Sequence, residues 1–434
     1  MKVLNYLDKL QFEVALKKLE ARQSFVPDRV KKDVAKIIRK VQLQKDKALF
    51  DYTAKFDNAI YNKKTVKVDR SELKKAYNRL PRNLTLALEL IAKRIEKFHI
   101  KQLESSYEIK EGRSSLKMSL TPLSAVGIYA PGGKAAYPSS VLMSAIPAKI
   151  AKVEKVILTT PTPNGVPNDL VLAAAWIAKV DEVYKVGGSQ AIAALTFATE
   201  SIPKVDKIVG PGNIYVAEAK RQLYGIIDID MIAGPSEILI LADNLADPKL
   251  IGYDLLAQAE HDEMAYPILV TTSKRIATQT QIELSKALLT LQRKSIAKAS
   301  IKNNGLILLV KDIEMGIKIV NRVAPEHFEL HVKNSDRYIS KIKNVGAFFI
   351  GEYSPEAIGD YSAGVNHILP TGATSRFGSP LGVYDFIKRT SIVNLAKPEF
   401  DKLSAATIDI ANAEGFTAHA LAVKVRINKF ENES

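Results

Sequence analysis

The chain has 434 residues, 47% hydrophobic and 25% charged, with a formal net charge of +15 and no cysteine. That length and balance describe a globular protein with room for two or three cores, and no run approaches the roughly 18 apolar residues of a membrane span. Charges interrupt the N-terminus where a signal core would lie, and the missing cysteine removes disulfides, thiolate metal ligands and a thiol nucleophile, so the expectation is a cytoplasmic protein.

Residues 1 to about 120 read as mainly helical, with short β segments such as KTVKVD at 64–69. In RVKKDVAKIIRKVQLQKDK (29–47) the basic residues interleave with acids and apolar positions at helical spacing. The excess charge therefore reads as a solvated helix face rather than a nucleic-acid patch, although either would attract anionic ligands. From 124 to 240 one phrase repeats: a β-branched run, a glycine turn, then an alanine-rich helical stretch. SAVGIYAPGG, VEKVILTTPTPNG, VDEVYKVGGSQAIAALTFAT and VDKIVGPGNIYVAEAKRQLYG are its instances. Strands alternating with helices predict right-handed βαβ units and a parallel sheet, with ligands at the carboxyl ends of the strands. The glycine turns fall there, at Gly132 and Gly133, Gly187 and Gly188, and Gly210 and Gly212. They offer unhindered N–H groups and positive helix ends to a pyrophosphate. GPGNIY nevertheless puts Tyr215 where the dinucleotide fingerprint wants its third glycine, so tight βα connections remain the other reading.

AGPSEILILADNL (233–245) begins a second αβ region, which runs through DLLAQAEHDEMAYPILVTTS, NNGLILLVKD and VGAFFIGEYSP. A glycine-rich loop without helical or strand period occupies 359–384, and so long an irregular segment is usually functional. The last fifty residues read as a small appendage with a helix near 402–423. Within the second region RVAPEHFELHV sets Glu326 beside His327, directly after Pro325 and before a strand. Neighbours on a regular strand point to opposite faces, so the pair shares a site only if the backbone leaves the ladder there. Six histidines are present: His99, His261, His327, His331, His367 and His419. In LLAQAEHD, Gln258 and His261 stand three apart, on one face of a helix and close enough to share a metal. Asp360 and His367 share the long loop, while Glu414 and His419 share the terminal helix.

VGIYAPGGKAAYPSSVLM, GGSQAIAAL, VGPGNIYVAEAKR, DMIAGPSEILILAD, DLLAQAEHD, NRVAPEHFEL, GAFFIGEYSPEAIGDYSAGVNHILPT and TAHALAVKVRIN resemble, in order and over essentially the whole chain, the histidinol dehydrogenase family. The resemblance implies an α/β fold of two Rossmann-like αβα domains with parallel-rich sheets, plus small N- and C-terminal appendages that pack on a partner subunit. It implies an N-terminal helical appendage (1–24), a discontinuous α/β domain (25–125 and 236–380), an NAD-binding domain (126–235) and a C-terminal dimerisation domain (381–434). It further implies oxidation of L-histidinol through L-histidinal to L-histidine by a homodimer, with NAD and one zinc per subunit and with neither nucleic acid nor membrane as partner. Carried over by position, Gln258, His261, Asp360 and His419 would hold the zinc, and Glu326 and His327 would form the acid–base pair. Ser236, His367 and Glu414 would meet the substrate together with the metal ligands and His327, and Tyr129, Gln190 and Asn213 would meet NAD.

Two imidazoles, a carboxylate and an amide oxygen suit zinc. With no cysteine to form a thiohemiacetal, water must add to the aldehyde directly, and Glu326 beside the imidazole is the expected base. The alternatives weighed are a related dehydrogenase acting on another small amino or sulfonated alcohol, a zinc hydrolase, for which HExxH is absent, and a nucleic-acid-binding protein, for which interleaved aromatic and basic clusters are absent.

Overall fold

The structure is a computed structural model that describes residues 1–22, 26–132 and 136–431. Its strands, in chain order, are β1 (Lys2–Asn5), β2 (Tyr107–Glu111), β3 (Ser114–Pro122), β4 (Ala125–Tyr129), β5 (Lys155–Thr159), β6 (Glu182–Tyr184), β7 (Lys207–Val209), β8 (Asp228–Ile229), β9 (Glu237–Ala242), β10 (Tyr266–Thr271), β11 (Leu306–Leu309), β12 (His327–His331), β13 (Ala347–Ile350) and β14 (Ile387–Asn394). The chain divides into two units, one of Met1–Leu103 and Leu123–Phe386, the other of Glu104–Pro122 and Ile387–Ser434.

The first unit holds two parallel sheets. One is five-stranded in the order β6-β5-β4-β7-β8, the other six-stranded in the order β1-β11-β10-β9-β12-β13. Apart from β1, both follow the doubly wound 3-2-1-4-5 order, counting β4 and β9 as first strands. Strands covered by helices on both faces read as continuous apolar runs, and all six residues of EILILA in β9 are buried. The helix bundle over the five-stranded sheet is alanine-rich, which lets Ile192, Leu195, Ile208 and Val216 pack closely with residues of the long helix Asp28–Asp57, including Val30, Val34, Ile37, Val41 and Leu49.

That packing differs from the expected division. Residues 28–57 lie with the five-stranded sheet rather than with 236–380, because their apolar face fits the helices Gly188–Phe197 and Ile214–Leu223. The N-terminal segment is likewise no separate appendage. β1 pairs with β11 as the edge strand of the larger sheet, and the helix Lys9–Glu20 buries Phe12, Leu16 and Leu19 among Leu239, Val320 and Phe328. KTVKVD forms only an isolated bridge, Lys67 to Tyr184.

The second unit extends the expected C-terminal domain with a hairpin from far upstream. β2 pairs with β3 and β3 with β14, all antiparallel, over eight registered residues in the latter case. The single expected helix is two, Lys397–Ala413 and Thr417–Glu431, separated by a turn in which Gly415 takes φ +80°. Among the described residues no helix is long and apolar enough to cross a membrane.

Candidate active site

At the carboxyl ends of β4 and β7, the point where the strand order reverses, the backbone comes close enough to exclude side chains. A Cβ on Gly210 (φ +110°) would lie 2.2 Å from the Tyr129 carbonyl oxygen. Tyr129, the last residue of β4, is buried, and its hydroxyl accepts the Gly188 N–H at 3.1 Å. Burial pushes that phenol up to about 12, so it stays protonated and a donor. Gln190 is buried on the following helix with its Oε1 lacking any partner. Asn213 caps the helix Ile214–Leu223, accepting from the Tyr215 and Val216 N–H groups at 3.0 and 3.2 Å. Crowded glycine backbone, a free helix start and an orphaned amide fit a dinucleotide pyrophosphate and ribose. Gly133 lies outside the described residues.

The second cluster stands at the amino ends of the other sheet. The helix Ile313–Val323 ends on Ala324 in the left-handed region (φ +48°), and Pro325 follows, so the strand begins only at His327. Strand alternation does not yet apply at Glu326. Its carboxylate reaches the same side as the imidazole, with Oε2 3.7 Å from His327 Nδ1. Glu237, first residue of β9, fixes both: its N–H donates to Glu326 Oε2 at 2.9 Å, its Oε2 accepts the Glu326 N–H at 3.3 Å, and its carbonyl accepts from His327 Nδ1 at 3.0 Å. Glu237 is in turn clamped by Arg22, whose Nε and Nη2 reach its two oxygens at 2.8 and 2.5 Å. Ser236 immediately precedes it, its carbonyl accepting the Tyr266 N–H at 2.9 Å.

His327 Nε2 faces Asp360 Oδ1 at 3.3 Å, and Glu356 Oε1 lies 3.9 Å from Nδ1. Gln258 stands at the end of the helix Pro248–Ala259, with His261 just beyond it rather than on it, the His261 N–H donating to the Gln258 carbonyl at 3.2 Å. One donor atom each from His261, Glu356 and Asp360 lies within 4.8 Å of the others. His367 closes the group: Nδ1 donates to the Asp360 carbonyl at 2.9 Å and Nε2 meets Ser140 Oγ at 3.0 Å. Ser140 belongs to the helix Pro138–Ile150 that follows β4, so His367 joins the two sheets' sites.

Electrostatics separates the groups. Burial would hold His327 neutral, but the charges of Glu356, Glu326 and Asp360 outweigh it and lift the imidazole well above its ordinary value. Burial, reinforced by Glu237 against the pull of His327, pushes Glu326 up to about 8. Desolvation lowers His261 and His367, which favours the neutral, ligating imidazole. Gln258 Oε1 and Glu356 Oε2 are buried without hydrogen-bond partners. Unsatisfied acceptors gathered around two carboxylates and an imidazole fit a divalent cation.

Of the expected residues, then, Gln258, His261, Glu326, His327, Asp360 and His367 come together, Ser236 directly precedes Glu237, and Tyr129, Gln190 and Asn213 stand at or beside the glycine turns. Glu414 and His419 lie in the second unit, where they line a groove of about 550 Å³ with Leu403, Ile410 and Phe416. Sequence reasoning missed Arg22, Glu237 and Glu356. Glu237 did leave a signal, as the one charge in the apolar run EILILA.

The model of the family described as histidinol dehydrogenase matches residues 20–427. A histidinol dehydrogenase of Listeria innocua is 48% identical over 97% of this chain and 98% of its own length. One of Aquifex aeolicus is 47% identical over 95% of this chain and 96% of its own. The crystal structure of histidinol dehydrogenase from Elizabethkingia anophelis superposes with a TM-score of 0.92 at 36% identity, over 99% of each chain. Two sheets of one strand order, the Glu326–His327 pair and a match over nearly the whole sequence agree: the chain belongs to the histidinol dehydrogenase family.

Proposed function

We propose that the protein is a cytoplasmic, zinc- and NAD-dependent dehydrogenase that oxidises L-histidinol through L-histidinal to L-histidine, the last two steps of histidine biosynthesis. The observation that carries this reading is the placement of Glu326 and His327 beside the donors of Gln258, His261 and Asp360. Tyr129, Gln190 and Asn213 would hold NAD, which would supply the hydride acceptor for each half-reaction. Gln258, His261 and Asp360, with His419, would hold zinc, which would supply positive charge to orient the substrate's amino and imidazole nitrogens and to offset the carboxylate field around His327.

His327 takes the hydroxyl proton as the carbinol hydride leaves, giving the aldehyde. Glu326 then removes a proton from water as the water oxygen bonds to the aldehyde carbon. As the water adds, His327 returns its proton to the carbonyl oxygen; it then takes a hydroxyl proton of the resulting hydrate as the second hydride leaves, giving the carboxylic acid, which ionises to the carboxylate. Ser236, His367 and Glu414 hold the substrate. His367, bridging Asp360 and Ser140, sets the reacting carbon between the two sheets' sites.

Glu414 and His419 complete the site of a partner subunit in a homodimer. The second unit's exposed Leu403, Ile410, Phe416, Leu421 and Val425 support that assembly, since apolar surface of this extent is normally covered. The test is stoichiometry. Two NADH should form per histidinol consumed, and chelation should abolish turnover until zinc is returned. Oxidation of another small alcohol in preference to histidinol, or full turnover in metal-free protein, refutes the assignment.

A further inference from the structure

A central strand between two helix layers is expected to be apolar on both faces. β12 obeys this on one, where Phe328 and Leu330 are buried with Leu239, Leu241 and Val320. Its other face carries His327, Glu329 and His331 in succession, registered against Ile238, Ile240 and Ala242 of β9, which belong to an aliphatic cluster with Ile251 and Leu255. His327 has a task in the function proposed above. Glu329 and His331 have none there, although Glu329 is fully buried and His331 only 6% exposed.

Asp254 reaches the same place from the helix Pro248–Ala259, one turn before Gln258. One donor atom from each of Asp254, Glu329 and His331 lies within 4.8 Å of the other two. His331 Nε2 is 3.1 Å from Glu329 Oε2, while its Nδ1 is buried with no partner. Glu329 Oε1 is engaged separately, accepting the Glu356 N–H at 2.8 Å. Among the described residues no lysine or arginine forms an ion pair with either carboxylate.

We propose that Asp254, Glu329 and His331 form a second divalent-cation site, distinct from the donors of Gln258, His261 and Asp360, that takes a borderline ion such as zinc or cobalt. Two carboxylates and one imidazole are the oxygen and nitrogen donors such ions accept, with water filling the remaining positions. Burial and the charge of Glu329 push Asp254 up to about 8, so in the absence of a cation this carboxyl retains its proton. Against burial, Glu329 in turn lifts His331 above its ordinary value, so a divalent ion would displace a proton from both Asp254 and His331 and take over the pairing of the two carboxylates. Through Glu329 Oε1 the ion also braces the first turn of the helix Glu356–Tyr361, which carries Asp360. The role is structural.

The experiment counts ions on the full-length protein, and only its comparison variant rests on the function proposed above. Metal-stripped protein is dialysed against zinc, then against metal-free buffer, and bound zinc is measured by atomic emission. Wild type should retain two ions per chain, and His331→Gln and Asp254→Asn one each. Both variants should still reduce NAD with histidinol. Asp254→Asn, nearly isosteric, serves if His331→Gln fails to fold. Cobalt gives an independent reading, because the visible spectrum should lose one component in either variant. Zinc content unchanged from wild type in both variants overturns the proposal. His261→Ala should also bind one ion. Unchanged zinc there would count against the zinc site of the function proposed above and leave the Asp254 site standing.

Discussion

Replacing Arg22 by methionine isolates the clamp behind the Glu326–His327 pair. Both members of the Arg22–Glu237 pair have side chains 1% exposed. The guanidinium donates to both Glu237 oxygens, to the Val323 carbonyl at 2.8 Å and to the Leu19 and Ala324 carbonyls. Methionine fills much of the volume but leaves Glu237 with only the N–H groups of Gly372 and Glu326 as donors. Removing one partner of a buried pair costs about 3–5 kcal/mol. With a urea slope of about 3 kcal/mol per M, the midpoint should fall by about 1 to 1.7 M. Arg22→Met with Glu237→Gln should recover part of the loss, since no uncompensated charge remains. Arg22→Lys should fall between, keeping charge without the bidentate fork. Urea unfolding followed by far-UV circular dichroism decides it. A single variant within about 0.5 kcal/mol of wild type would refute the reasoning.

The remaining predictions concern the chemistry. Because Glu326 must be ionised to act as base and is held up to about 8, histidinal oxidation should accelerate as pH rises from 7 to 9, and a flat profile across that range would remove Glu326 from the step. Glu326→Gln should slow oxidation of histidinal by about a hundredfold or more while slowing oxidation of histidinol far less, whereas His327→Asn should slow both; equal losses in Glu326→Gln would contradict the division of labour. For the shared site, His261→Ala and His419→Ala homodimers should each be inactive. Refolded together in equal amounts they should regain roughly a quarter of wild-type activity, because about half the dimers then hold one intact site. Background activity in the mixture would place all ligands on one chain.

The alternation of apolar runs with alanine-rich helices made the two parallel sheets legible, since each βαβ unit is written in contiguous sequence. Long-range pairing was not. KVLN at 2–5 is too short to show a period, and its partner β11 lies some 300 residues away. The face of the helix Asp28–Asp57 announces that it is buried but not against which sheet. The hairpin β2–β3 likewise gives no sign that β14 will join it. In the site, spacing suggested Gln258 with His261, and adjacency suggested Glu326 with His327, with Pro325 as the reason both could face one way. The Arg22–Glu237 clamp joins positions 215 residues apart, so no local pattern could reveal it.

The two halves share a strand order yet present opposite ends to chemistry, and helix polarity accounts for the choice. In the first sheet the glycine turns lead into helix starts at Gly188 and Ile214, where the positive end of the helix dipole makes the backbone electropositive and suited to a phosphate. In the second, the ionisable groups gather at the amino ends, where Glu237 and His327 open their strands and Gln258 stands in the last turn of its helix. A helix end of that kind exposes carbonyls and partial negative charge, which disfavours an anion and favours a cation. His367, bonded to Asp360 on one side and Ser140 on the other, bridges the two ends. In the proposed reaction, a substrate held between a cation at the amino ends and an anionic cofactor at the carboxyl ends would lie beside Asp360 and His327, where the proton would leave.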